Sequence, residues 1–427
     1  MREIHMPEAD FPVERGREQK AKSRRGLKKL YNLHAWVGFQ LAIVMFVILF
    51  TGTIATISNE IDWLIFENLR ASENTENKPK PTPEDLTKMY LALKEAYPEG
   101  SIRSLVDMGE SYFTYRSFVV DESLGNNFVQ IDQWTQEIKG TVPRLTVQRF
   151  FRDFHRYLFM PSFPGIIVVC AFAFILGISL YTGLKTTRNW RTALWRLRTN
   201  QGARIALSDS HKVAGLWGIW FVFIMVVTGV WYLYEFSWNV SGNRMEPLPA
   251  AIERNIGEFK SAEEKKDAIA KIPLAVMNEK NLLKMFTLAQ NAHSDWDIKS
   301  IYFSPRADRP IDFRGTGNNP LLRDRAYRVL IDPVSLEINQ TFSPNTISTH
   351  AYINEYIDPI HFGYFGGVWS KFIWFVFGLT LTAMSLTGVL MTWKRTKSNS
   401  VTRAQVATIP ILVLSVVAFV FWIQRFS

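Results

Sequence analysis

Four of the seven histidines occupy equivalent places in two halves of the 427-residue chain. His34 and His211 lie near the start of long uncharged stretches, and His155 and His361 each precede another such stretch. Imidazole is a common axial ligand of haem iron, and helix bundles are where such cofactors are held. Two imidazoles on facing helices would fill both axial positions of one iron. The sequence therefore predicts two haem b sites, with all four histidines as ligands of the haem irons.

We call His34 with His211 the first pair, and His155 with His361 the second pair. The first pair stands on a repeat of the form H-x3-G-x12-T-G, which occurs twice without a gap. The first glycine lies about one turn after the histidine, and the second lies about 27 Å from the histidine on the same face of a helix. Glycine leaves room for a bulky planar group, although it can also serve only to let helices pack closely. The candidate haem-lining glycines are Gly38, Gly52, Gly215 and Gly229.

Basic side chains near the histidines are candidates to pair with haem propionates. For the first pair these are Arg25, Lys28, Arg204 and Lys212; for the second pair they are Arg152, Arg156 and Lys371. His350 is an alternative to His361 as a ligand. Interfacial hydrogen bonding is another role open to such histidines. Two imidazoles alone are too few for a structural zinc site.

The apolar residues are concentrated in five blocks, each able to supply the roughly 20 residues that a membrane-spanning helix needs. Apolar residues make up 47% of the chain and charged residues 21%. A purely soluble protein and a single-span anchor are therefore excluded. Cys170 is the one cysteine, which rules out an intramolecular disulfide and a cysteine-ligated iron–sulfur cluster.

The chain has a net charge of +10, and its excess of Lys and Arg is concentrated in segments on one predicted side of the membrane. The charge therefore does not indicate nucleic-acid binding. Segments 1–29, 185–212 and 394–403 together hold 20 Lys and Arg against 6 Asp and Glu. Basic loops remain cytoplasmic by the positive-inside rule. We therefore expect a multi-pass protein of the bacterial inner membrane, embedded in the lipid bilayer, with its N-terminus in the cytoplasm and both large polar segments outside.

The predicted fold is an all-α transmembrane bundle with two extracytoplasmic α+β domains. Four core helices would come from a tandem duplication, and a fifth span would follow at the C-terminal end. The predicted segments are a basic cytoplasmic tail 1–29, TM1 30–59, outer domain 60–156, TM2 157–184, cytoplasmic loop 185–211, TM3 212–235, outer domain 236–367, TM4 368–393, cytoplasmic loop 394–403 and TM5 404–424.

The two outer segments share the pattern I-D-x-x-[ST]-x-E-I, at 131–138 and 331–338. Hydrophobic periodicity predicts a helix at 84–96 in the first segment and a polar helix at 261–270 in the second. The predicted strands are 101–107, 112–120 and 126–132, then 297–304 and 326–332.

Two motifs resemble the PepSY-associated transmembrane helix family. Leu33, His34, Trp36 and Gly38 match L-H-x-W-x-G, and H-F-G-x-x-G-G begins at His361. The resemblance covers about 28 to 395 and implies PepSY-like folds for the outer domains. It also implies a haem-containing inner-membrane reductase that releases Fe(II) from a ferric siderophore on the periplasmic side. The fifth span departs from the family pattern.

Because no flavin or nicotinamide motif is present, the electron donor would be a separate cytoplasmic or membrane molecule. We expect the chelate to dock between the two outer domains. Two other classes stay open from the sequence: a non-redox binding or regulatory membrane protein, and a transporter of the iron chelate. A transporter is expected to have polar or broken helices at membrane depth.

Overall fold

The computed structural model describes residues 12–75, 77–243, 251–254, 261–393 and 409–426. The chain separates into two compact units. The first unit comprises Met1–Phe50, Tyr157–Val230 and Val376–Phe419. The second comprises Thr51–Arg156, Trp231–Phe375 and Val420–Ser427. The first pair of histidines lies in the first unit and the second pair in the second unit.

The helices, in chain order, are α1 Pro12–Gln40, α2 Ala42–Thr56, α3 Ser58–Ile65, α4 Pro83–Ala96, α5 Val147–Tyr157, α6 Ser162–Thr186, α7 Trp190–Ala193, α8 Ala203–Trp217, α9 Ile219–Val240, α10 Ala262–Ala270, α11 Glu279–Asn291, α12 Thr349–Phe362, α13 Gly367–Trp393 and α14 Ile409–Ile423. In the described residues, α6, α9 and α13 are each long and apolar enough to cross a membrane, and the bent pair α1–α2 is a fourth candidate.

The described residues cover the predicted fifth span, 404–424, only in part. In the described residues it is α14, an apolar helix of 15 residues, and the predicted positions 404–408 lie outside the described residues. Fifteen residues extend about 22 Å, which is less than the hydrocarbon thickness of about 30 Å. By length and composition, the described part of the chain supports at most four spans.

Two helix breaks occur at corresponding places in the repeat. Leu41, seven residues after His34, separates α1 from α2, and the two helices are bent by 69°. Gly218, seven residues after His211, separates α8 from α9. The uncharged stretches in the sequence predicted one continuous span at each of these places. Each stretch is therefore built from two helices, with a histidine on the first.

The polar segments form one eight-stranded antiparallel sheet with the strand order β4-β3-β2-β1-β5-β6-β7-β8. Its strands are β1 Ser101–Val106, β2 Tyr115–Val120, β3 Asn127–Ile131, β4 Ile138–Pro143, β5 Asp297–Tyr302, β6 Ile311–Thr316, β7 Tyr327–Ile331 and β8 Ile338–Phe342. The prediction of two separate outer domains is wrong in this respect. Strands β1 and β5 pair directly, with Leu105 opposite Ile301, so the repeated segments share one sheet.

A single hydrophobic core underlies both halves of this sheet. It includes Leu93 of α4 and Phe286 of α11, together with Leu105 and Phe313 of the sheet, all fully buried. Helix α4 begins at Pro83, one residue before the predicted start, and Thr82 and Asp85 form its capping box. Strands β4, β6 and β8 and helix α11 were not predicted.

The repeated motif around Asp132 and Asp332 builds the same hairpin twice. Each carboxylate accepts a hydrogen bond from the backbone two residues on, at 2.9 Å from Trp134 and 2.7 Å from Val334. Each hairpin also has a positive φ at the fourth residue after the aspartate, 60° at Gln136 and 56° at Leu336. The tandem duplication is therefore visible in the backbone as well as in the sequence.

Candidate cofactor site

The first pair brings together helices α1 and α8 in the first unit. The ring centroids of His34 and His211 are 6.2 Å apart, and the ring planes are inclined by 78°. Both side chains are partly buried. Each half of the duplication thus contributes one imidazole to the pair, as the sequence predicts for two histidines that would bind one haem iron.

Hydrogen bonds orient the ring of His34. Its Nδ1 lies 3.1 Å from the Ser179 carbonyl oxygen and 3.0 Å from Thr182 Oγ1. A carbonyl oxygen only accepts, so we assign the proton of this ring to Nδ1. Nε2 then carries the lone pair that a metal ion would bind.

His211 is oriented in the same way by the corresponding residue of the other half. Its Nδ1 lies 3.0 Å from Thr387 Oγ1. That hydroxyl donates to the Met384 carbonyl at 3.0 Å, which leaves its oxygen to accept from the ring. We therefore assign the proton of His211 to Nδ1 as well.

The same T-G dipeptide occurs near the end of α6, at Thr182-Gly183, and of α13, at Thr387-Gly388, and its role was not predicted. A Cβ on Gly183 would lie 3.4 Å from His34 Cε1, and one on Gly388 would lie 3.7 Å from His211 Cε1. Each threonine orients a histidine, and a Cβ at either following glycine would be in ordinary van der Waals contact with that ring. The repeated T-G dipeptide was the signal available in the sequence.

The second pair has the same spacing in the second unit. The centroids of His155 on α5 and His361 on α12 are 6.2 Å apart, with the planes inclined by 33°. The backbone of Gly52 lies directly against His155, because a Cβ there would be only 2.6 Å from the ring Cε1. His361, and not His350, is the histidine of α12 that faces His155. His350 instead lies among the rings of Trp231, Tyr234 and Trp238.

Charged and aromatic groups surround His361. The ring of Tyr232 lies 5.1 Å from it, and the Tyr232 hydroxyl donates to Asp358 Oδ1 at 2.6 Å. Arg323, almost fully buried, forms an ion pair with Asp358 at 2.9 Å. Burial opposes ionisation of Asp358, but Arg323 and the hydrogen bond from Tyr232 outweigh it, so the pKa of Asp358 lies below its usual value.

Burial also lowers the pKa of His361 to about 3, with a further decrease from His155 and a smaller opposing effect from Asp358. His361 is therefore a neutral imidazole throughout the physiological range. Metal ions bind the neutral form of histidine, so the protonation state suits a ligand.

The predicted glycines have different surroundings. Of the four, Gly52 is the one that contacts a histidine of a pair. Nothing lies within 4 Å of a Cβ placed on Gly38, whereas Gly215 packs on Met384 and Gly229 packs on Ala173. A Cβ on Gly229 would lie 2.8 Å from Ala173, so this glycine allows close packing between α9 and α6.

Most of the predicted propionate partners have exposed side chains. These are Arg25, Lys28, Arg152, Arg156, Arg204 and Lys212. Lys371 instead forms ion pairs with two carboxylates, at 2.8 Å from Glu60 and 3.6 Å from Glu110. Its position between two acids disfavours pairing with a further anion.

The spacing of both pairs fits two imidazoles on opposite sides of one iron. Two metal–nitrogen bonds of about 2.0 Å, each with about 1.2 Å from the nitrogen to the ring centre, would give centroids about 6.4 Å apart. Among the described residues there is no group of three or more His, Cys, Asp or Glu that could hold a metal ion. A two-histidine site suits haem because the porphyrin supplies the other four ligands. The residues present therefore fit the cofactor.

The apolar helices and the separate antiparallel sheet define a membrane protein with a folded polar domain. The family described as PepSY-associated TM region matches residues 31–395, and the chain belongs to this family. A protein of Pseudomonas aeruginosa, "Uncharacterized protein PA4219", is 36% identical over 78 residues, which are 18% of this chain and 19% of that protein. The matched region thus spans about a fifth of the length of this curated relative.

Proposed function

We propose that the chain is a diheme membrane reductase that transfers electrons from the cytoplasmic side to a ferric siderophore outside. His34 and His211 would hold one haem b, and His155 and His361 the other. The observation that carries the proposal is the spacing of 6.2 Å found in both pairs. Two pairs on duplicated elements, each with the separation that one iron requires, are hard to explain as two unrelated hydrogen-bonding contacts.

The cofactor would supply one-electron transfer, and the protein residues would hold and orient it. Thr182 and Thr387 fix the rings of the first pair through Nδ1. Gly52 allows His155 to lie against the backbone, and Tyr232 and Asp358 set the charge beside His361. Held ligands reduce the structural change that accompanies a change in oxidation state, which favours rapid electron transfer.

The substrate and direction of the reaction rest on chemistry and predicted topology. Oxygen chelators hold Fe(III) tightly and Fe(II) weakly, so addition of one electron to Fe(III) releases the metal. The basic segments favour a position of the first pair towards the cytoplasm by the positive-inside rule. The sheet domain would then lie in the periplasm, with the reducing equivalents supplied by a separate cytoplasmic or membrane donor.

An absorption spectrum of the purified protein is the first test. We expect low-spin bis-histidine haem bands and two haems per chain. After reduction with dithionite, a ferric siderophore should reoxidise the haem, and a colorimetric chelator should trap Fe(II). The His361→Ala variant should retain the haem of the first pair but reoxidise slowly. Reoxidation at the wild-type rate would show that the second pair is not the exit.

A transporter of the iron chelate is the second candidate, and the paired helix breaks favour it. The breaks at Leu41 and Gly218 occupy corresponding positions in the two halves, as expected for substrate sites built from interrupted helices. Uptake of labelled chelate into proteoliposomes without any reductant would support transport. Haem-dependent Fe(II) release without chelate uptake would support the reductase.

A further inference from the structure

Helix α14 has no counterpart in the duplication and lies beyond the family match, which ends at residue 395. Its side chains divide sharply between two environments. Val416 and Phe421 are each 65% exposed, whereas Ser415 and Trp422 are 6% and 4% exposed. Ser415, Phe419 and Trp422 follow one another at intervals of four and three residues. They therefore form one stripe along the helix.

This stripe contacts the segment that carries His155. In the second unit, Trp422 Nε1 donates to Asp153 Oδ2 at 2.8 Å, and the bond is buried. The rings of Trp422 and Phe150 are 6.0 Å apart in an edge-to-face arrangement. Asp153 is two residues before His155 on α5, and it also accepts from Arg149 at 2.8 Å.

In the first unit the same helix contacts the residues that follow α5. Ser415 Oγ donates to the Leu158 carbonyl at 3.0 Å, and the Phe419 ring lies 5.0 Å from Phe159. Leu158 and Phe159 have positive φ values of 50° and 59°. Such values are uncommon for residues with a side chain and need support from the surroundings. The hydrogen bond to Leu158 O provides such support.

We propose that α14 is a brace that fixes the position of His155, with Trp422 as its principal positioning residue. The inference rests on the proposed function, because it assigns the brace to one haem site. Contacts from α14 hold α5 at Asp153 and hold the chain again at Leu158, directly after α5. Helix α5 therefore has little freedom to rotate. The direction of the His155 ring towards His361 is then set by a helix that the duplication does not supply.

The test compares Trp422→Phe with Trp217→Phe in the full-length protein. Both substitutions remove an indole donor, since Trp217 Nε1 donates to the Leu194 carbonyl at 3.2 Å in the first unit. Amide hydrogen exchange would be followed over residues 147–157, alongside haem content and the low-spin ferric haem signals. We expect Trp422→Phe to accelerate exchange in this segment at least several-fold and to alter one of two haem signals. Trp217→Phe should change neither.

Unchanged exchange in Trp422→Phe would overturn the brace, and faster exchange with two unaltered haem signals would overturn its role in positioning His155. If the wild-type protein binds no haem, the proposed function fails and the positioning of a haem ligand fails with it, while exchange still reports whether α14 supports α5. If Trp422→Phe does not accumulate, Ser415→Ala provides the same comparison with a smaller expected change in the same direction.

Discussion

The two histidine pairs have the same ring separation but are held by different means. The first pair is oriented by Thr182 and Thr387, whose hydroxyls lie 3.0 Å from the Nδ1 atoms of the two rings. The second pair is held by close packing at Gly52, and His361 lies beside the Tyr232–Asp358 hydrogen bond and the Arg323 ion pair. Neutral hydroxyls therefore surround one pair, and ionised groups surround the other.

The two halves of the duplication therefore make matching contacts at the first pair and different contacts at the second. The first pair keeps the symmetry of the repeat, since each half supplies one histidine and one T-G dipeptide. The two glycines that are equivalent in the repeat have different contacts: Gly52 contacts His155, whereas Gly229 contacts Ala173. If both pairs bind haem, the two sites should differ in redox potential although their ligands are the same.

The largest expected effect is loss of one haem when a ligand is removed. Both His34→Ala and His155→Ala should bind one haem per chain in place of two, because each variant leaves the other pair intact. Haem per chain, measured by the pyridine haemochrome method, checks this. His350→Ala is the matched control and should retain two haems. Full haem content in either ligand variant would refute that assignment.

Gly52→Ala should disturb the second pair alone. The added methyl would lie 2.6 Å from His155 Cε1, and overpacking of this kind costs about 1–3 kcal/mol. We expect a lower thermal midpoint and an altered signal from one haem. Gly26→Ala is the control, since nothing lies within 4 Å of a Cβ at that position. Equal behaviour of the two variants would contradict the close packing at His155.

Loss of the threonine hydroxyls should weaken the first pair without abolishing it. Thr182→Val and Thr387→Val remove the oxygen that lies beside a ligand Nδ1, and such outer partners affect metal-site affinity about 10–100-fold. We expect Thr182→Val to weaken haem binding by a factor at the lower end of this range, because the Ser179 carbonyl still accepts a hydrogen bond from His34. Competition for haem with apomyoglobin measures the effect. No change in either variant would show that the hydroxyls do not orient the rings.

The smallest expected effect is a change of potential at one haem in Tyr232→Phe. Loss of the hydroxyl removes a hydrogen bond that offsets the charge of Asp358, and more negative charge near an iron favours its ferric form. The midpoint potential of one haem should fall, and that of the other should stay constant in a spectroelectrochemical titration. Tyr234→Phe, on the same helix, should shift neither. A rise in the potential would reverse the electrostatic argument.

The sequence was most informative where a repeat coincided with a chemical constraint. H-x3-G-x12-T-G identified His34 and His211, and the apolar blocks identified the membrane helices, because hydrophobic length is a local property. It was also sufficient for α4, where Thr82, Pro83 and Asp85 define the helix start. The distribution of Lys and Arg along the chain predicts the membrane topology, with the N-terminus in the cytoplasm.

Contacts between distant residues decided the rest. The pairing of β1 with β5 uses backbone groups that every residue carries, so two separate domains and one continuous sheet are equally compatible with the sequence pattern. Thr182 lies 148 positions from His34 and Thr387 lies 176 positions from His211. Contacts between side chains across such intervals depend on the crossing angles and rotations of the helices. For the same reason the contact of Gly52, and not of Gly229, with a histidine of the second pair followed only from the tertiary structure.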